Sequence, residues 1–252
     1  ASPQVATVTA LARPELNLAQ PASIAAACAN IADPIDLVLV ATGMLHDATH
    51  GPERSLAAID ADWLAQSFAV NAIGPALIAK ALLPRLRRDR KTAFAALSAR
   101  VGSISDNRLG GWYGYRASKA ALNQLVRTAA IEQARRNPQS LVVTLHPGTV
   151  DTRLSKPFQR GVPELFDAAT SARHLLGVLD VLTSDYIHEG QEDRLRWFCV
   201  TPDGRVALLW ESPRMPGSVL HSAAGDFLGT GRPVFVAFET RARGGSRVWV
   251  VE

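Results

Sequence analysis

The stretch Gly111-Trp112-Tyr113-Gly114-Tyr115-Arg116-Ala117-Ser118-Lys119-Ala120-Ala121-Leu122-Asn123 sets a tyrosine and a lysine four residues apart where a helical pattern begins. Four residues on a helix place both side chains on one face, with Cβ atoms about 5 to 6 Å apart. A phenol titrates near ~10 and is a poor acid or base at neutral pH, but an ammonium beside it favours the phenolate and lowers that pKa. Tyr115 is therefore a candidate for proton transfer, with Lys119 as its tuning group. Such a pair also arises by chance, as a solvated lysine lying along a half-buried ring. The surrounding sequence has to decide.

Outward from this helix the chain alternates. Thr92 to Ser98 reads as a buried strand, joined by a loop from Ala99 to Gly111 to the tyrosine helix, which runs through Leu122, Leu125, Val126, Ala129 and Ala130 to Asn137-Pro138. Leu141 to Leu145 is again strand-like and leads into His146-Pro147-Gly148-Thr149-Val150-Asp151-Thr152. Upstream, Asp60 or Asp62 can begin a helix carrying Trp63, Leu64, Phe68, Val70, Ile73, Leu77, Ile78 and Leu82 up to Pro84. Asn71 lies in its middle, where asparagine is an indifferent helix former unless its side chain is used. Ile35 to Val40 has the character of a strand buried on both faces and ends at Ala41-Thr42-Gly43. Val5 to Leu11 is a β-rich run closing at Ala12-Arg13-Pro14; Leu16-Asn17-Leu18 follows, and Pro21 opens an alanine-rich helix to about Asn30. On the far side, a loop from Arg153 to Ala169 precedes a helix from Thr170 to Leu182. Long irregular segments at the carboxyl ends of strands usually cover a substrate, so Phe158, Leu165 and Phe166 read either as an apolar lid or as ordinary packing. The alternation from residue 5 to about 182 predicts an α/β fold with a doubly wound parallel sheet.

Composition agrees with one such domain. The chain has 252 residues, 47% apolar and 20% charged, with 27 basic against 23 acidic side chains and a pI near 9.4. The one tight basic cluster, Arg85-Leu86-Arg87-Arg88-Asp89-Arg90-Lys91, follows a helix and has no aromatic interleaving, so it reads as a solvated helix end rather than a nucleic-acid patch. Cys28 and Cys199 form neither a disulfide framework nor a metal-ligand spacing, which points to a reducing compartment. There is neither a signal peptide pattern nor an apolar run of the ~18 residues that span a bilayer, so a cytoplasmic protein without membrane, nucleic-acid or metal partners is expected. The sequence begins with Ala1 rather than Met.

The tyrosine helix resembles the active-site helix of the short-chain dehydrogenase/reductase family, in particular its C-factor-like branch. The resemblance covers roughly the first 190 residues and is most specific from Ser98 to Asn123, through Leu97-Ser98-Ala99-Arg100-Val101-Gly102-Ser103-Ile104-Ser105-Asp106-Asn107. It implies hydride exchange with a nicotinamide cofactor. Tyr115 would transfer the proton, Lys119 would lower its pKa and hold the ribose, and Asn71, in the Phe68-Ala69-Val70-Asn71 context, would kink its helix and hold a water in the relay. By the same resemblance Asn17 and Leu18 border the adenine, with a plain turn as the equal alternative. Ala41 and Gly43 stand where the family lets the cofactor approach the backbone, here without the usual asparagine. Pro147, Gly148, Val150 and Thr152 match the element that meets the nicotinamide carboxamide. Arg13 follows the strand that normally ends at the adenosine ribose and can meet a 2′-phosphate, so NADP is favoured, with NAD as the alternative and an unliganded arginine as the third reading. Substrates would be small carbonyl or alcohol compounds. A homodimer or homotetramer through the helices bearing Asn71 and Tyr115 is implied.

Three departures qualify this reading. The family's serine usually closes the strand as the second of a pair, whereas here Ser98 is followed by Ala99; Ser103, twelve residues before Tyr115, is the nearest substitute, with Ser98 and Ser105 as fallbacks. The Rossmann-type sheet lacks its first strand and glycine-rich phosphate turn at the N-terminus, because Ala1-Ser2-Pro3-Gln4-Val5 reads as the connection after the first helix. The end of the chain is unusual, and residues 211–252, beyond a hairpin, exceed what the family needs. Leu195 to Val200 and Arg205 to Trp210 flank Asp203-Gly204 as a hairpin. Gly225-Asp226-Phe227-Leu228-Gly229-Thr230-Gly231 precedes a β-rich run and reads as a turn rather than a phosphate site. Ser218 to His221 and Arg247 to Val251 are candidates to fill the missing strand, although residues upstream of Ala1 are the preferred source. The expectation is a Rossmann-type oxidoreductase domain over 1–190 with a C-terminal extension over 191–252. A catalytically silent signalling or interaction protein on the same scaffold is the rival.

Overall fold

The computed structural model describes residues 5–184 and, further on, five strands within 196–251. The chain divides into two compact units, Ala1–Ser184 and Asp185–Glu252.

The first unit is built on a parallel sheet of β1 (Leu37–Val40), β2 (Thr92–Leu97) and β3 (Ser140–Leu145), in that spatial order. On one face lie α1 (Pro21–Ala29), α3 (Gly74–Leu82) and α4 (Tyr113–Arg136). Their Ile24, Ile78, Leu82, Leu122 and Val126 close on Val38, Val40, Phe94, Ala96 and Val142. On the other face Leu179 of α5 (Ala168–Ser184) closes on Ala93, Ala95 and Leu145. Alanines alternate through β2 because helices press on both of its faces, and small side chains let them come close.

The sheet corrects two expectations. Ile35 to Val40 is not covered on both faces: Val38 and Val40 are 9% and 5% exposed, but Leu37 and Leu39 are 44% and 40% exposed. Val5 to Leu11 forms no strand, and Val5 and Val8 stand 46% and 70% exposed. On the face that carries Leu37 and Leu39, Leu179 of α5 closes on Ala93, Ala95 and Leu145 and not on β1. Among the described residues no strand runs along the free edge of β1, so the run at 5–11 has no ladder partner to make its backbone hydrogen bonds.

The helix after β1 starts where expected, with Asp60 Oδ1 accepting from Trp63 N at 2.8 Å as the N-cap of α2 (Ala61–Phe68). It then widens into a π turn over Ala69–Ile73 before α3. Pro75 causes the widening: it has no N–H for the carbonyl of Asn71, and its ring would strike that carbonyl in a regular helix. Contrary to the expectation of no such run, the continuous helical run Ala61–Arg85 is long and apolar enough to cross a membrane; half of that span is buried inside the fold, as befits a core helix. Arg85 does more than solvate a helix end. Its guanidinium donates to Cys28 O at 2.7 Å, to Ile31 O and to Asp33 Oδ1, capping the C-terminus of α1.

In the second unit β4 (Arg196–Val200) pairs antiparallel with β5 (Val206–Glu211). β6 (Ser218–Gly225), β7 (Val234–Thr240) and β8 (Ser246–Val251) form an antiparallel sheet in that order. The two runs considered for the missing strand therefore both pair with β7, because consecutive strands joined by short connections meet each other first. The Asp203-Gly204 turn and Asp226 to Gly231 lie outside the described residues.

Candidate active site

The three parallel strands bring their carboxyl ends together, the place where open α/β sheets hold ligands. Past β1 stands Gly43, past β2 Ser98, and past β3 Pro147. The first turns of α4 carry Tyr115 and Lys119 to this edge. Lys119 is 2% exposed, its Nζ donates to Leu97 O at 2.8 Å and lies 5.9 Å from the centre of the Tyr115 ring. A Cβ on Gly43 would stand 3.7 Å from Lys119 Nζ, 3.8 Å from Asn71 Oδ1 and 3.9 Å from Leu154 Cδ2. Four of the residues singled out in the sequence, or their immediate neighbours, thus converge: Gly43, Asn71, Tyr115 and Lys119.

The electrostatics correct one expectation. Burial pushes the Tyr115 phenol up to about 12 and pulls the Lys119 ammonium down to about 8. Desolvation disfavours the charged form of each, and here it outweighs the attraction of an ammonium that lies 5.9 Å from the ring centre and is committed to Leu97 O. At neutral pH Tyr115 keeps its proton and Lys119 is mostly charged.

Asn71 is fully buried and clamps the turn after β1. Met44 N donates to its Oδ1 at 2.8 Å, and its Nδ2 donates to Met44 O at 2.9 Å. The same amide reaches Ser67 Oγ at 3.2 Å and Ser118 Oγ at 3.1 Å. Ser118 Oγ in turn donates to Tyr115 O at 3.0 Å, so the polar cluster ties the π turn to the tyrosine helix. Ser118 was visible as the serine before the lysine. Ser67 was not singled out, though it stands one helical turn before Asn71.

The three serine candidates are engaged elsewhere. Ser98 is buried and its Oγ donates to Asn123 Oδ1 at 2.6 Å. Ser103 follows a short turn over Arg100–Gly102; its Oγ accepts from Asp106 N at 3.3 Å and lies 3.4 Å from Ser105 Oγ. None of the three is hydrogen-bonded to Tyr115.

After β3, Gly148 has φ of +75°, and the Phe166 ring lies 2.7 Å from where its Cβ would stand, so only glycine fits. Pro147 O accepts from Ser171 Oγ at 2.9 Å, tying this turn to α5. Val150 bridges to Phe166, and Thr152 O accepts from Ser155 N and Lys156 N. Leu154 O lies 3.1 Å from His46 Nε2, which brings this loop over the β1 end. Of the lid residues, Phe158 meets the rings of His46 and Trp112, Phe166 packs on Gly148, and Leu165 is exposed.

Toward the adenine end, Leu18 belongs to the core and its Cβ and carbonyl oxygen stand 2.9 Å from where a Cβ on Gly74 would be. Asn17 Oδ1 accepts from Ala19 N at 3.1 Å. Arg13 is exposed, and among the described residues it makes no ion pair. Ala41 is exposed at the end of β1.

Two further residues act here that the sequence did not flag. Trp112, just before α4, has φ of +55°, a left-handed conformation costing about 1 to 3 kcal/mol for a bulky residue. Glu53, 4% exposed, holds it there: its carbonyl accepts from Trp112 N at 2.5 Å and its Oε2 accepts from Gly114 N at 3.0 Å. Glu53 Oε1 is buried without a hydrogen-bond partner. A lone glutamate after a proline gives no sign of this.

A family model described as enoyl-(acyl carrier protein) reductase matches residues 5–181. The C-signal protein of Myxococcus xanthus is 34% identical over 154 residues, 61% of this chain and 85% of that protein. The chain spans about half the length of the other curated relatives it matches, from 40% to 54%. A Burkholderia multivorans short-chain dehydrogenase/reductase with bound NADP is 30% identical, with a TM-score of 0.54 over 66% of each chain. An NADPH-bound carbonyl reductase from chicken fatty liver is 26% identical, with a TM-score of 0.54 over 67% of this chain and 68% of that one. With the parallel sheet and the Tyr115–Lys119 helix in place, this chain belongs to the short-chain dehydrogenase/reductase family, in its C-factor-like branch.

Proposed function

We propose that this chain is an NADP-dependent oxidoreductase that reduces a small carbonyl compound, or oxidises the corresponding alcohol, with Tyr115 as the proton-transfer group. The observation that carries it is the buried pair itself, Lys119 Nζ 5.9 Å from the Tyr115 ring centre beside the open backbone at Gly43. A buried ammonium is expensive to keep unless it is used, and titratable groups perturbed in this way mark functional sites.

The residues present fit the nicotinamide-ribose half of the cofactor. Gly43 leaves backbone open next to Lys119, and Pro147, Gly148, Val150 and Thr152 line the neighbouring strand end. Arg13, without an ion pair among the described residues, offers its guanidinium for a 2′-phosphate, with Asn17 and Leu18 nearby in sequence for the adenine, and Ala41 with Gly43 where the cofactor would approach the backbone. The glycine turn that holds a pyrophosphate is not among the described residues. When bound, the nicotinamide supplies the hydride.

The chain's own residues then do the following. Tyr115 holds its proton at neutral pH and gives it to the carbonyl oxygen as negative charge builds there, since an alkoxide is a stronger base than a phenolate. The Lys119 ammonium stabilises the phenolate left behind and would hold the ribose of the cofactor. Ser103, or Ser98 released from Asn123, polarises the carbonyl. Asn71 holds the Met44 turn and supports the proton path from Lys119.

The test is a titration of NADPH followed by melting temperature, then reduction assays on the full chain and on Tyr115→Phe. Tyr115→Phe should abolish reduction while leaving cofactor affinity nearly intact, because only the hydroxyl is lost. Absence of any shift at saturating NADPH would sink the reading for this chain.

A second reading, a catalytically silent signalling or interaction protein on the same scaffold, is favoured by one observation: Ser98 is committed to Asn123 rather than facing Tyr115. It predicts no turnover under any of these conditions. For assembly we propose a homodimer or homotetramer through the helices bearing Asn71 and Tyr115, where Ile73, Leu125 and Ile131 are exposed; sedimentation of Leu125→Glu checks it.

A further inference from the structure

Three rings join into a continuous wall that ends on Tyr115. Trp112 meets Tyr115 edge to face with ring centres 6.2 Å apart, and meets Phe158 in the same manner at 5.1 Å. Phe158 meets His46 at 5.8 Å, and His46 Nε2 is fixed at 3.1 Å from Leu154 O. All four side chains are only partly buried, so each keeps surface that a ligand can meet.

The position of the indole is imposed. A left-handed tryptophan persists only where its surroundings over-determine it. Here Glu53 grips the backbone on both sides, through Trp112 N and Gly114 N, and leaves its own Oε1 buried and unpartnered in doing so. Arg116 adds a second brace: its backbone N donates to Trp112 O at 2.8 Å and its Nε to Gly111 O at 3.0 Å. Strain of this kind, concentrated one turn from the reacting hydroxyl, points to what the side chain does there.

We propose that Trp112, Phe158 and His46 form the substrate-selecting wall of the site, and that the substrate carries a flat aromatic group next to its reacting carbonyl or carbinol carbon. Edge-to-face contacts reward a flat ring over a puckered one of equal size. Phe158 sits on the loop that crosses from β3 toward His46, so the ring of the substrate is gripped by two separate segments of chain, while Tyr115 meets the oxygen. The inference rests on the reading of Tyr115 as the proton-transfer group.

The experiment compares two alcohols of equal carbon count, benzyl alcohol and cyclohexylmethanol, by ligand-observed NMR on the full chain without cofactor, alongside reduction of the matching aldehydes with NADPH. Benzyl alcohol should bind about 3- to 10-fold more tightly, the worth of one or two ring contacts. Trp112→Leu and Phe158→Leu should each bring the ratio to within about 2-fold, whereas Tyr115→Phe, which keeps its ring, should retain it. Phe158 ends a short turn of 3-10 helix, Lys156–Phe158, outside the sheet and its packed helices, and Phe158→Leu serves if Trp112→Leu does not fold. Equal binding of the two alcohols, or a preference unchanged in both leucine variants, overturns the wall. A preference that the leucine variants lose, with neither aldehyde reduced, supports the wall and removes the reductase reading instead.

Discussion

The backbone N–H of Gly114 donates to Glu53 Oε2 at 3.0 Å, while the other carboxylate oxygen of Glu53 lies 2.7 Å from where a Cβ on Gly114 would stand. A carboxylate 61 residues away in sequence therefore satisfies one of the free N–H groups that open α4, with its charge at the favourable end of the helix dipole. The fit requires glycine at that position.

Gly114→Ala should accordingly destabilise the protein by about 1 to 3 kcal/mol, the usual range for forcing an extra methyl into packed space. In an ordinary helix the same change stabilises, by up to ~1 kcal/mol. The sign of the change in urea midpoint separates the two. A stabilised variant would show that Glu53 moves aside freely.

The lysine sets a pH dependence of stability. Unfolded, Lys119 keeps its proton to 10.5, while folded it releases it at about 8. Between these values the unfolded state binds more protons, so the contribution to stability rises with pH through that window and is smallest below about 8. At about 1.4 kcal/mol for each pH unit the full effect is of order 3 kcal/mol. Lys119→Met lacks it, so the wild type should gain on this variant in melting temperature from pH 7.5 to 9.5. A constant gap would place the lysine's pKa outside that window.

Activity should show the opposite slope. On the proposed mechanism the ammonium that would stabilise the Tyr115 phenolate is lost above about 8, so carbonyl reduction should decline as pH rises through that value. A profile flat to pH 9.5 would mean that Lys119 stays charged during turnover.

Asn71→Ala removes an amide that pairs both backbone groups of Met44, leaving a buried N–H and C=O to find other partners. The expected loss is about 2 to 4 kcal/mol, with reduction impaired further because the Gly43 turn is released beside Lys119. Measured melting and NADPH affinity should fall together. Retention of both would show that the turn holds itself.

The two faces of β1 should respond differently. Val38→Ala opens the core that Phe94 and Ile78 fill and should cost about 1 to 2.5 kcal/mol, whereas Leu39→Ala, on the exposed face, should cost less than about 1. Similar losses for both would mean that Leu39 is covered in solution.

What the sequence determined by itself was whatever is written in local pattern. The period of the apolar residues placed α1, α4 and α5, the strands β2 and β3, and the Tyr115–Lys119 face, because helix and strand periodicities act over neighbouring residues. Asp60 was legible as a cap and Asn71 as an anomaly for the same reason. Tertiary structure decided the rest. Whether Val5 to Leu11 makes a strand depends on a partner for its ladder bonds, which no local pattern contains, and the covering of Leu37 and Leu39 depends on what packs against that face. Burial reversed the expected direction for Tyr115, since desolvation belongs to the whole fold and competes with the one charge that spacing revealed. Glu53 and the left-handed Trp112 were invisible for the same reason: the contact between them joins a loop before α2 to the start of α4, and only folding brings those two segments together.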